Sequence, residues 1–80
     1  MLSKERMVEL TREISGIKDI AMETKFAAAG IDSVMLVELL VEFEFQADRD
    51  ILSLELDLDL LETLDDVYRL IEGASDGENR

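Results

Sequence analysis

Cysteine, histidine and tryptophan are missing from this sequence of 80 residues, and its aromatics are three Phe and one Tyr. Without cysteine there is no disulfide, and without a Cys/His set there is no structural metal site, so apolar burial must hold the fold unaided. With so few rings, that core is mostly Leu, Ile and Val. The absence of His and Cys also removes the usual partners of a hydrolytic serine, and no Gly-x-Ser-x-Gly elbow surrounds Ser33. A catalytic carboxylate pair needs a deep pocket that a chain this short hardly provides. Asp57-Leu58-Asp59 with Glu62 lacks the glycine and the ligand spacing of a calcium loop. Neither a catalytic residue nor a metal site is expected.

Long apolar runs are absent too: none approaches the roughly 18–20 residues needed to cross a bilayer. Ser3-Lys4-Glu5-Arg6 interrupts any signal-peptide apolar region, so the expected location is the cytoplasm. Bases are few, 8 Lys and Arg against 20 Asp and Glu, for a net charge of −12. Residues 1–31 hold five of each sign and cancel; residues 32–80 hold fifteen acids and three bases and carry the whole excess. Such a field repels nucleic acid and anionic membrane, and no basic-aromatic surface or phosphate-cradling glycine loop offsets it. Solubility does not require the acids to begin at Asp32, so a partner with a basic surface is expected.

What remains reads as helix. Ser3 can cap a first helix over about 4–15, with Leu2 and Met7 at the spacing of a hydrophobic staple and Ser15-Gly16 as its stop. Residues 16–31 form a long connection anchored by Ile17, Ile20, Met22, Phe26 and Ile31, and Ala27-Ala28-Ala29 can make one helical turn before Gly30. A second helix over about 33–46 has Asp32 or Ser33 as N-cap. Leu36, Leu39, Leu40, Phe43 and Ala47 gather on one side of it. Val34, Val37, Val41 and Phe45 gather on the other, among Glu38, Glu42 and Glu44. A bundle helix needs one apolar stripe for its core, so the second, acid-laced stripe is expected to dock a partner. The alternative is that packing buries both.

Residues 52–60 alternate Leu with acids and serine like a strand, but no second strand exists to pair with them. An irregular segment with a short helix near 58–61 is expected, dropping Leu54, Leu56, Leu58 and Leu60 into the bundle in turn. Thr63 and Asp66 are spaced as a capping box for a last helix over about 64–72, which Gly73 ends. The expected fold is all-α, with residues 1–73 as one domain and 74–80 as a disordered polar tail.

Gly30-Ile31-Asp32-Ser33-Val34 followed by an acidic helix resembles the modification site of acyl carrier proteins. Glu38 in a Val-Glu-Leu run and Thr63-Leu64-x-x-Val67 extend the likeness, which covers most of residues 3–72 and is best at 30–44 and 63–71. The resemblance implies a small four-helix bundle whose Ser33 carries 4′-phosphopantetheine, with Asp32 supporting the attachment. It implies a non-catalytic carrier of thioesters, expected as a monomer, whose partners are a phosphopantetheinyl transferase, a loading enzyme and downstream synthases. Val34, Val37, Glu38, Val41, Glu42, Glu44 and Phe45 would meet them. Phe45 stands where the family often has an acid, Ala47 where it often has a bulky aromatic, and no proline marks the start of the third helix. These departures point from a housekeeping fatty-acid carrier toward a dissociated polyketide or other specialised-metabolite pathway. Gly-Ile-Asp-Ser fits acyl carriers better than the Gly-Gly-x-Ser of peptidyl carriers, and the chain's own Met1 suggests a freestanding protein. A discrete aminoacyl or peptidyl carrier is the nearest alternative; an unmodified acidic interaction module is the alternative from another class.

Overall fold

Ser3 opens the first helix by accepting the Arg6 N–H on its hydroxyl at 3.1 Å, while Leu2 and Met7 on either side of the cap are both buried. This helix, α1, runs Lys4–Ser15 and stops at Gly16, whose φ of 75° brings its N–H to the Arg12 carbonyl at 2.9 Å. The computed structural model describes residues 2–48 and 57–77, the last four of them as backbone only. After α1 come α2 (Phe26–Ala29), α3 (Ser33–Ala47), a 3₁₀ turn (Leu58–Leu60) and α4 (Leu64–Gly77). The result is a small all-α bundle with three main helices and, among the described residues, no strand.

α1 packs against α3 and α4. Met7 and Leu10 of α1, Leu36, Leu39, Leu40 and Phe43 of α3, and Leu64, Val67 and Ile71 of α4 form the buried core. Thr11 is buried with them, and its hydroxyl donates to the Met7 carbonyl at 2.7 Å, so no unpaired polar group results. The connection after α1 is long but anchored, because Ile20, Phe26 and Ile31 are buried. Its backbone is tied as well: the Phe26 N–H donates to the Glu62 carbonyl at 2.8 Å, and the Asp65 N–H donates to the Met22 carbonyl at 3.0 Å. These two bonds fix the residues before α2 against the start of α4.

Two expectations need correction. Leu60 does not drop into the bundle; it is 73% exposed, whereas Leu58 and Leu61 pack against the core. A 3₁₀ turn advances about 120° per residue, so residues three apart share a face and a period of two is lost. Leu54 and Leu56 lie outside the described residues. The last helix does not end at Gly73 but continues to Gly77, so residues 74–77 are helix rather than tail. A helical glycine costs only about 1 kcal/mol relative to alanine, and no proline follows to enforce the break.

The start of α4 is a reciprocal capping box. The Thr63 hydroxyl accepts the Asp66 N–H at 3.2 Å, while the Asp66 carboxylate accepts the N–H groups of Glu62 at 2.9 Å and Thr63 at 3.1 Å. The Glu62 amide, then that of Thr63 and the Arg69 guanidinium, hold the Asp66 carboxyl below its ordinary value of 3.8, against the opposing effect of partial burial. A depressed carboxylate stabilises the fold above its unfolded value and ceases to do so as pH falls through the folded one. Asp66→Asn should therefore melt lower than wild type at neutral pH, and the gap should close on titration below 3.8. Thr63→Ala should cost about 1 kcal/mol, or about 4–8 °C in Tm.

α3 ends on Asp48, a non-glycine residue with a φ of 56° whose N–H bonds the Glu44 and Phe45 carbonyls. An L-residue is strained there, and a carboxylate at the negative end of a helix is repelled. Asp48→Gly should raise stability by about 1 kcal/mol, measured by thermal or urea unfolding.

Candidate functional site

Gly30 takes a φ of 83° and turns the chain from α2 toward α3. Asp32 is then the N-cap of α3, accepting the Met35 N–H on Oδ1 at 2.9 Å. Ser33 is consequently the first helical residue, exposed, with its hydroxyl in no hydrogen bond to another described residue. The Ser33 and Val34 N–H groups are likewise without a described partner, as expected at a helix start. A hydroxyl with no described partner thus stands at the positive end of a fifteen-residue helix, where negative charge is favoured.

Beside it lies an open cleft of about 240 Å³. Phe26, Ala27, Ile31, Leu36, Leu58 and Leu61 give it apolar walls, and Lys25, Asp32, Ser33, Asp59 and Glu62 give it polar ones. The cleft exists because the 3₁₀ turn and the start of α4 sit opposite the α2–α3 corner, held there by the Phe26–Glu62 backbone bond. Phe26 and Ile31 are legible in the sequence as anchors of the 16–31 connection, but the cleft they wall is not. Leu58 and Leu61 carried the only signal, a spacing of three at a 3₁₀ turn; an exposed lysine such as Lys25 gives none.

The second stripe of α3 is not buried. Val34 is 69%, Val41 49% and Phe45 78% exposed, and Val37 is exposed with them. Glu38 is exposed on this helix, and Glu42 and Glu44 are partly so, with Glu42 accepting from the Gln46 amide at 2.9 Å. No basic residue lies within α3. The helix therefore presents apolar side chains among acids, beginning beside Ser33. The stripe facing the other way, Leu36, Leu39, Leu40 and Phe43, is fully committed to the core.

Among the described residues no helix is long and apolar enough to cross a membrane, and no cluster of His, Cys, Asp or Glu is arranged to hold a metal ion. Comparisons with protein-family models, curated protein sequences and solved structures find no match.

Proposed function

We propose that this protein is an acyl carrier, bearing 4′-phosphopantetheine on Ser33 and passing acyl groups between separate enzymes of a fatty-acid, polyketide or other specialised-metabolite pathway. The observation that carries this reading is the free Ser33 hydroxyl at the head of α3, on the rim of a cleft and beside an uncovered apolar-acidic face. The residues fit the group: Ser33 offers the attachment oxygen, the first-turn amides suit its phosphate, and Asp32 keeps the turn in place through Met35. When bound, the arm supplies a thiol that forms thioesters with the cargo; the protein contributes orientation and recognition. Val34, Val37, Glu38, Val41, Glu42, Glu44 and Phe45 then form the surface on which a transferase and later enzymes dock, apolar groups giving contact and acids giving steering.

Intact-mass measurement after incubation with coenzyme A and a broad-specificity phosphopantetheinyl transferase tests the reading. One added arm supports it; a folded protein that gains nothing overturns it. An amino-acid adenylating enzyme loading the arm in place of an acyltransferase or acyl ligase would make the chain a discrete aminoacyl or peptidyl carrier. The exposure of Phe45 and Val34 favours one further reading, an unmodified acidic interaction module. Sedimentation bears on it: a tight dimer burying Val34 and Val41 supports the module over the carrier.

A further inference from the structure

Lys25 lines the same cleft as Asp32 and Ser33, and the other charged residues on that cleft, Asp59 and Glu62, are acids. Lys4, Arg6 and Arg69 all pair with carboxylates, but Lys25 makes no ion pair among the described residues. Its side chain is exposed and does not cap α2, so the fold makes no evident use of it. Resting on the reading of Ser33 as the arm-bearing residue, we propose that the Lys25 ammonium, with the free Ser33 and Val34 amides, holds the phosphodiester of that arm against the cleft.

The reason is electrostatic. Attachment at Ser33 adds a negative charge to a wall that already holds three carboxylates. Among the described residues Lys25 is the cation lining that wall, and an ammonium serves phosphate as a point charge with three movable donors. Lys25 is thus a positioning residue: it sets where the arm leaves the protein and how freely it swings. It takes no part in thioester chemistry.

The test compares wild type, Lys25→Ala, Lys25→Glu and Lys25→Arg, each loaded by the transferase to full mass gain. The readouts are the ³¹P line of the phosphodiester and the melting temperature of each loaded form relative to its own unloaded form. Wild type and Lys25→Arg should show a broadened ³¹P line that sharpens with added salt. Lys25→Ala and Lys25→Glu should show a sharp line at all salt concentrations. On loading, Lys25→Glu should melt lower than its unloaded form by about 2–4 °C more than wild type does, the scale of one exposed ion pair. Full mass gain with indistinguishable lines and melting shifts overturns the role of Lys25 and leaves Ser33 standing. Wild type that gains no mass overturns both.

Discussion

Ser33→Ala should fold like wild type and gain no mass with coenzyme A and a competent transferase, where wild type gains one arm. The value of this pair lies in how little else the substitution disturbs. Asp32, not Ser33, caps α3, and the Asp32–Met35 bond survives the change. The lost hydroxyl has no described partner to leave unsatisfied. Circular dichroism and melting temperature should therefore move by no more than about 0.5 kcal/mol equivalent. Asp32→Ala should behave oppositely, losing about 1 kcal/mol of stability with the cap while keeping an oxygen to modify. A Ser33→Ala protein that still gains the arm would place attachment elsewhere and remove the basis of the carrier reading.

Phe43→Ala should cost about 3–5 kcal/mol, which for a domain of this size leaves little net stability. Phe43 is 0% exposed, is among the largest fully buried side chains and belongs to the core cluster that α1, α3 and α4 share. Two positions earlier, Val41 points the other way, so Val41→Ala should change stability by about 0.5 kcal/mol or less. If the protein is the proposed carrier, its effect should fall on the transferase reaction, where loss of a contact worth about 1.4 kcal/mol lowers kcat/KM about tenfold. Glu38→Lys should act on the same reaction through encounter, with a loss that shrinks as salt is added. Urea unfolding and transferase kinetics on the three variants separate the faces of α3. If Val41→Ala unfolds the protein, the outer stripe is structural and the docking surface is lost.

Much of this is legible in the sequence alone. The limits of α1 follow from Ser3, the Leu2/Met7 staple and Gly16, because caps act through the nearest few residues and leave a local signature. The two stripes of α3 follow from 3.6-residue periodicity, and the Thr63/Asp66 box from a spacing of three. Periodicity also misled where its assumption failed: the alternation through Leu60 presupposed extended chain, and the 3₁₀ turn at 58–60 sends that side chain outward. Gly73 looked like a stop, but glycine ends a helix only when a left-handed residue is needed there, and α4 runs on.

The amino-acid order by itself determined where the main helices begin, the charge asymmetry and Asp32-Ser33 as the head of α3, since caps and periodicity act within a few residues. Only the tertiary structure decided which stripe of α3 faces outward and that Lys25, Leu58 and Leu61 share a cleft with Ser33. Those facts depend on contacts between segments more than twenty residues apart, such as the Phe26 amide on the Glu62 carbonyl. No local pattern in the chain encodes where such distant partners meet.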